Sequence, residues 1–140
     1  MKILLAACNA KYIHSNLAVY DLRAYASAYQ EHILLGEYTI NQTKDEILKD
    51  IYLSGADVVC FSCYIWNNSF VRDLLEDLHK ILPDVKFWTG GPEVSFDAEA
   101  FLRRTPQVTG VMVGEGEKTF LELVRYYVDG VGTLSEIPGI

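Results

Sequence analysis

Four short segments of the sequence bring together residue types that bind small molecules. Two are polar or aromatic, Asn9 to Asn16 and Tyr64 to Asn68, and two are rich in glycine, Gly90 to Glu93 and Gly114 to Glu117. An imidazole can bind a metal or move a proton, aromatic rings can stack on a flat ligand, and glycine lets a ligand approach the backbone closely. The four segments therefore indicate a binding site built from loops.

Each of these segments also has an explanation that involves no ligand. The glycine pair can form a tight turn before Pro92, and His14 can be an ordinary surface histidine. Tyr64 and Trp66 can pack at the rim of the core. The acids of the fourth segment can stabilise a helix start through its dipole, and that segment lacks the GxGxxG spacing and the lysine of a nucleotide-binding loop.

The cysteines are expected to have a structural role instead of forming a metal or redox site. Cys60 and Cys63 have CxxC spacing but fall within a predicted strand, where residues three apart point to opposite faces. Together with Cys8 they supply only three poorly placed thiols for a four-iron cluster. An odd number of cysteines without a secretion signal favours reduced thiols in a reducing compartment.

Five apolar, often β-branched runs are predicted to form strands, and these strands are expected to position the loops. They are Lys2 to Cys8, His32 to Ile40, Asp57 to Cys63, Val85 to Thr89 and Val108 to Val113. Helical patterns lie between them, and strands that are apolar along their whole length indicate a parallel sheet covered on both faces. The sequence therefore predicts an α/β, doubly wound, flavodoxin-like or Rossmann-like fold with five parallel strands.

The predicted strand order is 2-1-3-4-5, because the second strand carries Glu37 and has the character of an edge. In such a sheet, ligands bind beyond the carboxyl ends of the strands, which is where all four loop segments fall.

The helices between the strands have recognisable starts and ends. Thr43 and Glu46 form a capping box that opens one helix, which ends at Gly55, and another runs from Asn67 or Asn68 to Pro83. A first helix is expected from about Ser15 or Asn16, a fourth from about Ser95 to Arg104, and a last before Gly130. Their predicted buried faces include Tyr25, Tyr29, Ile47, Ile51, Tyr52, Leu74, Ile81, Phe120, Leu121, Val124, Tyr127 and Val128.

The length of the chain indicates how many domains it holds, and its net charge indicates which partners it disfavours. The chain has 140 residues, enough for one domain over 1–130, followed by a linker at 131–140 that leads toward a further C-terminal domain. Twelve Lys and Arg against 19 Asp and Glu give a net charge of −7, which disfavours nucleic-acid binding. The first apolar run is too short for a signal peptide or membrane span, so no membrane association and a cytoplasmic location are expected.

The order and spacing of these pieces resemble the N-terminal cobalamin (vitamin B12)-binding domain of B12-dependent radical S-adenosylmethionine (SAM) enzymes. The resemblance rests on Lys2 to Leu5 leading into Asn9 to Asn16, on Ser62, on Gly90 to Glu93, and on Val113 to Glu117. Ile137-Pro138-Gly139-Ile140 resembles the bridge that leads into the iron-sulfur barrel of those enzymes.

The resemblance implies that the corrinoid lies across the carboxyl edge of the sheet, with its nucleotide tail in a slot kept open by small and hydroxylic residues. The SxL serine of the family falls on Ser62, although Tyr64 replaces its leucine, and the paired glycines fall on Gly90 and Gly91. The implied cofactor-binding residues are Asn9, Tyr12, His14, Ser15, Asn16, Ser62, Tyr64, Trp66, Asn67, Gly90, Gly91, Pro92, Glu93, Gly114, Glu115 and Gly116.

One departure concerns the DxHxxG motif, whose histidine binds cobalt with its other nitrogen oriented by the aspartate. If His14 is that histidine, Tyr12 stands at the aspartate position and Leu17 at the glycine position. Either His14 binds cobalt without its usual partners, or cobalt has no protein ligand and this loop covers the lower face. The resemblance to the radical class favours the second interpretation.

The expected function is a corrinoid-binding module that holds cobalamin for methyl transfer or another radical reaction carried out by a radical SAM domain of the same polypeptide. SAM and a four-iron four-sulfur cluster would be bound by that domain, since no CxxxCxxC motif occurs here. The chain by itself is expected to contain no catalytic residue. Two alternatives remain, a flavin-binding flavodoxin-like module and a domain that has lost its cofactor and serves as a docking or regulatory surface.

Overall fold

A five-stranded sheet forms the centre of the computed structural model, which describes residues 2–9, 22–39, 44–62, 68–90, 108–112, 117–130 and 132–134. The strands are β1 (Ile3–Asn9), β2 (Ile33–Thr39), β3 (Val58–Ser62), β4 (Lys86–Gly90) and β5 (Gly110–Met112). Their order is β2-β1-β3-β4-β5, and all four neighbouring pairs are parallel. The predicted order is confirmed, with β2 at one edge.

Three α-helices and one 3-10 helix are described around the sheet, and residues 22–25 are helical as well. They are the 3-10 helix (Ser27–His32), α1 (Lys44–Ser54), α2 (Asn68–Ile81) and α3 (Glu117–Asp129). The acidic Asp45 and Glu46 lie in the first turn of α1, where the helix dipole favours negative charge. The helix ends at Gly55, whose φ of 70° is the left-handed conformation that glycine adopts at helix ends. The capping residue Thr43 lies outside the described residues.

The alternation of side chains along each strand divides the core into two layers. On one face, Leu4, Val59 and Phe87 belong to a cluster that includes α1 and α2 residues. On the other face, Leu5, Cys60 and Trp88 belong to a cluster that includes Phe120, Leu123 and Val124 of α3. The sheet is therefore covered on both sides, as mostly apolar strands require.

Three of the residues predicted to be buried are exposed. Tyr25 is 49% exposed, because the helical segment around it turns at Ala26 into the 3-10 helix and its period changes. Tyr52 is 55% exposed, since it lies one residue round the helix from the buried Ile51. Ile81 is 46% exposed because it is the last residue of α2.

The predicted face of α3 is largely confirmed. Phe120 and Val124 are buried, whereas Leu121, Tyr127 and Val128 are partly buried and pack against the same cluster. The fourth predicted helix lies outside the described residues. Among the helices that the model describes, none is long and apolar enough to cross a membrane.

Candidate functional site

The carboxyl ends of the strands form the edge at which a ligand is expected. Asn9, Thr39, Ser62, Gly90 and Met112 are the last residues of the five strands. Because the strands are parallel, these ends lie along the same edge of the sheet. Three of the residues predicted to bind a cofactor, Asn9, Ser62 and Gly90, are therefore placed on this edge.

The remaining predicted binding residues fall in segments outside the described residues. They are Tyr12, His14, Ser15, Asn16, Tyr64, Trp66, Asn67, Gly91, Pro92, Glu93, Gly114, Glu115 and Gly116. Asn9, Ser62 and Gly90 immediately precede three of these segments, and Met112 ends the strand before the last one.

Ser62 and Gly90 are direct partners in the sheet. The backbone of Ser62 pairs with Ala7 on one side and with Gly90 on the other, and Gly90 pairs with Met112. Along β4, Phe87, Trp88 and Thr89 are buried, while Gly90 is only partly buried. Burial along β4 thus decreases at Gly90, its last residue.

Gly90 differs from the other described glycines because the fold does not require it. Gly55, Gly130 and Gly132 have φ angles of 70°, 69° and 81°, which favour glycine. A Cβ on Gly36 would lie 2.7 Å from the Tyr38 hydroxyl. At Gly90, φ is not positive, and the atoms nearest to an added Cβ lie at an ordinary contact distance of 3.6 Å.

This difference has a functional implication. A glycine inside a strand lowers the stability of the fold by about 0.5–1 kcal/mol relative to alanine. Gly90 therefore destabilises the sheet, although neither its φ nor its described neighbours require a glycine. A residue with no side chain at the carboxyl end of a strand leaves room for a ligand to approach the backbone. Gly90 is therefore the described residue that most directly indicates a binding slot.

Trp88 lies beneath this strand end. Residues 88 and 90 alternate onto the same face, and the Trp88 indole is 1% exposed. Its ring lies over Gly110, where an added Cβ would approach within 3.0 Å of Cη2 and Cε3 and closer still to Cζ3. The indole Nε1 donates a hydrogen bond of 2.9 Å to the Tyr127 hydroxyl. The ring is thus held in place by β5 below it and by α3 above it.

Thr89 belongs to the opposite face of the sheet. It is fully buried, and its Oγ1 has no hydrogen-bond partner among the described residues. Because Thr89 alternates with Gly90 along β4, its hydroxyl points away from the face on which Gly90 lies.

Burial controls the chemistry of the Cys60 thiol. Cys60 lies on the same face as Trp88, and desolvation raises its pKa from 9.0 to about 12. The thiolate is the nucleophile and metal ligand of cysteine, so this thiol is inert near neutral pH. Its structural role agrees with the interpretation of the CxxC spacing, whose second cysteine, Cys63, lies outside the described residues.

The Cys60 thiol should make stability depend on pH under alkaline conditions. Between pH 9 and about 12 the folded state retains a proton that the unfolded state loses. This contribution is therefore fully present below pH 9 and decreases by roughly 1.4 kcal/mol per pH unit above it. Urea unfolding at pH 8, 9 and 10 should show a steeper loss of stability for the wild type than for Cys60→Ala. Parallel losses in the two proteins would contradict the buried, neutral thiol.

In the described part of the chain, no three His, Cys, Asp or Glu side chains lie close enough together to hold a metal ion. His14, the possible cobalt ligand, lies outside the described residues.

Two residues of β5, Met112 at its carboxyl end and Gly110 at its start, were not singled out by the sequence. Met112 is buried beside Gly90, and Gly110 accommodates the Trp88 ring. The period-two alternation of β5 places both on one face, but their meeting with β4 depends on a register that the sequence does not reveal.

Comparisons with known proteins agree with this architecture. Residues 3–124 match the family model of the B12 binding domain. The chain is 30% identical over 84 residues to the cobalamin-dependent radical SAM methyltransferase TokK of Streptomyces tokunonensis. It is 31% identical over 91 residues to the 2-(S-pantetheinyl)-carbapenam-3-carboxylate methyltransferase of Streptantibioticus cattleyicolor.

The similarity covers a small part of these larger proteins. The two alignments cover 60% and 63% of this chain but 12% and 13% of the relatives. The solved structure of the cobalamin-dependent SAM radical enzyme OxsB, with aqua-cobalamin and SAM bound, superposes with a TM-score of 0.77 at 18% identity. That superposition covers 99% of this chain and 20% of OxsB. At this identity the superposition establishes the shared fold.

Proposed function

The chain belongs to the B12-binding domain family, and from this premise we propose that it holds cobalamin at the carboxyl edge of its sheet for a radical SAM enzyme. The family assignment favours a corrinoid over the flavin alternative. The edge that ends in Asn9, Ser62, Gly90 and Met112 is the place where the cofactor would bind.

The observation that carries this proposal is the glycine at position 90. A corrinoid with a long nucleotide tail needs a strand end that admits it close to the backbone. Gly90 provides such an end at the point where burial along β4 decreases, and neither its φ nor its neighbours require a glycine. The residues present therefore fit the group.

The role of this chain is to bind and orient the cofactor. Gly90 would leave space for the tail, and Ser62, its partner across β3 and β4, would border the same space. Trp88 would form a fixed floor, because its hydrogen bond to Tyr127 and its contact with β5 hold the ring. When bound, cobalamin supplies a cobalt centre that can carry a methyl group. The predicted loop residues would complete the site.

The whole protein would use this module within a larger polypeptide. The chain spans 12% and 13% of the length of the two curated relatives. We infer that residues 1–130 form the cobalamin domain and that 131–140 lead to a radical SAM domain. That domain would bind SAM and the four-iron four-sulfur cluster, with methyl transfer as the reaction class. Within the segment 131–140, Leu134 packs against the α3 side of the core.

Retention of hydroxocobalamin tests the proposal. The purified chain is mixed with hydroxocobalamin, desalted, and examined by visible spectroscopy. Corrinoid bands that coelute with folded protein are the expected result. A colourless protein fraction would contradict cobalamin binding and favour the docking alternative, and a yellow flavin spectrum as purified would favour the flavodoxin-like alternative.

We propose that His14 does not bind cobalt and that cobalt has no protein ligand. The aspartate and glycine of the DxHxxG motif are replaced here by Tyr12 and Leu17. The variant His14→Ala should therefore retain cobalamin, and its Co(II) form should give the same electron paramagnetic resonance spectrum as the wild type. A change in nitrogen hyperfine splitting would instead identify His14 as the ligand.

A further inference from the structure

Three aromatic side chains form a continuous series on the α3 side of the sheet. Trp88 of β4 is 1% exposed, and its indole Nε1 donates a hydrogen bond of 2.9 Å to the hydroxyl of Tyr127. The ring of Tyr127 meets the ring of Tyr126 edge to face, with 5.1 Å between the ring centroids and 79° between the ring planes. Both tyrosines are partly exposed. The series therefore leads from a buried indole to the surface of α3.

Two features of this series go beyond what packing requires. A buried indole N–H needs one acceptor, which any oxygen atom can supply, but here the acceptor belongs to a second oxidisable ring. Consecutive residues of a helix do not normally face each other, yet the rings of Tyr126 and Tyr127 are in contact. The three oxidisable rings are thus joined by direct contacts.

The chemistry of these rings allows them to pass on the loss of an electron, but not an extra electron. Indole and phenol are the aromatic side chains that lose one electron most readily, and neither is easily reduced. Desolvation raises the pKa of Tyr127, so its hydroxyl is protonated near neutral pH and must release a proton when the ring is oxidised. Trp88 lies two residues before the carboxyl end of β4, roughly 7 Å from it. Trp88 is therefore close to any oxidant formed at that edge of the sheet.

We propose that Trp88, Tyr127 and Tyr126 form a relay that carries an oxidising equivalent from the carboxyl edge of the sheet to the surface of α3. The oxidant is an oxygen-centred radical, which forms when a reduced metal cofactor reacts with dioxygen, and it takes one electron from the Trp88 indole. The indole radical cation takes an electron from Tyr127, whose hydroxyl proton passes to water. Tyr126 then reduces the Tyr127 radical, and each hydroxyl exchanges its proton with water.

A surface donor completes the reaction. A thiol or ascorbate returns an electron and a proton to Tyr126, while the reduced oxygen species takes up the proton that Tyr127 released. The net reaction reduces the oxygen radical by one electron and one proton and oxidises the donor to the same extent, so the buried indole escapes irreversible oxidation. The formation of the oxidant at this edge rests on the proposed binding of cobalamin, whereas the transfer from Trp88 to Tyr126 does not.

Flash photolysis of the chain without cofactor tests the transfer. The chain has two tryptophans, Trp66 and Trp88, so in the variant Trp66→Phe a light pulse at the red edge of the tryptophan absorption band ionises Trp88 alone. A scavenger removes the ejected electron, and transient absorption distinguishes the indole radical from a phenoxyl radical. Circular dichroism establishes that this background and each further variant are folded.

In this background, the phenoxyl radical should form at the rate at which the indole radical disappears, whatever the protein concentration. Adding Tyr127→Phe removes the oxidisable hydroxyl, so the lifetime of the indole radical should rise at least about tenfold. Tyr126→Phe should leave the first transfer unchanged and slow the reduction of the phenoxyl radical by ascorbate several-fold. Tyr52→Phe, which alters an exposed tyrosine on α1, is the matched control and should change neither rate.

A second measurement tests the source of the oxidant. The chain with its natural tryptophans is loaded with hydroxocobalamin and incubated with ascorbate in air, which reduces the cobalt and generates oxygen radicals. Mass spectrometry of peptides should show that Tyr127→Phe accumulates kynurenine at Trp88 several times faster than the wild type. Equal accumulation in the two loaded proteins would show that the relay does not drain oxidant from this edge.

Two results of the photolysis would overturn the relay. One is an indole radical that decays in the Trp66→Phe background without forming a phenoxyl radical, a result that does not depend on whether Tyr127→Phe folds. The other is an unchanged lifetime of the indole radical in folded Tyr127→Phe. Failure of the chain to retain hydroxocobalamin would instead overturn the proposed function and the source of the oxidant, while the photolysis still decides the transfer.

Discussion

The variant Gly90→Ala is expected to fold at least as stably as the wild type and to bind cobalamin about tenfold more weakly. A tenfold loss of affinity corresponds to about 1.4 kcal/mol of overpacking in the complex. In the absence of ligand, the new Cβ makes only ordinary contacts of 3.6 Å with Met112. Replacing a strand glycine reduces the entropy of the unfolded chain and is worth about 0.5–1 kcal/mol of stability. If the tail enters beside Gly90 as proposed, the same methyl group would occupy space that the tail needs.

The two effects are measured separately. Thermal unfolding of the protein without ligand gives the change in stability, and titration with hydroxocobalamin followed by its visible spectrum gives the affinity. Dicyanocobinamide is the control ligand, because without a tail it should bind both proteins equally. Unchanged affinity of Gly90→Ala for hydroxocobalamin would contradict the slot, whereas lost stability would contradict the packing around Gly90.

Replacing the glycine of the neighbouring strand β5, in the variant Gly110→Ala, should lower the stability of the protein. Gly110→Ala would place a Cβ within 3.0 Å of the Trp88 ring atoms Cη2 and Cε3. The ring cannot move away freely, because it is buried between β5 and α3 and its Nε1 is hydrogen-bonded to Tyr127. Forcing extra volume into such a core costs about 1–3 kcal/mol.

This loss should be visible in thermal unfolding. At roughly 4 °C per kcal/mol for a chain of this size, Gly110→Ala is expected to lower the Tm by about 4–12 °C. The indole fluorescence should also change as the ring is displaced. Gly90→Ala is the matched control, since it adds the same methyl group to the same face of the sheet. A Tm equal to that of the wild type would show that the ring is not held tightly over Gly110.

The location of the candidate site could be predicted from the sequence to the level of segments. The polar and glycine-rich loops follow apolar runs, and the ends of parallel strands meet at one edge, so the position of the edge follows from local pattern alone. The structure confirms that β1, β3 and β4 end at Asn9, Ser62 and Gly90 and that these ends lie on one edge of the sheet. The contacts of the loop residues themselves stay predictions.

The errors in burial have a local cause. The helical period correctly marked Ile47, Ile51 and Leu74 as core residues. It did not mark where a helix tightens into a 3-10 turn or where it ends, which is why Tyr25 and Ile81 are exposed. Periodicity predicts which face of a helix is apolar. How many residues of that face are buried depends on the elements that pack against it.

The sequence by itself determined the class of the fold, the order of the strands and the edge of the sheet that the polar and glycine-rich segments follow, because these follow from hydrophobic patterns within short stretches of chain. Only the tertiary structure decided what each glycine does. The sequence singled out Gly90 for its glycine pair and passed over Gly110, but it did not reveal that a Cβ at Gly90 would meet Met112 at an ordinary distance while one at Gly110 would collide with the Trp88 ring. That difference arises from the register of β4 against β5, which joins residues about twenty positions apart and is set by how side chains pack across the strands.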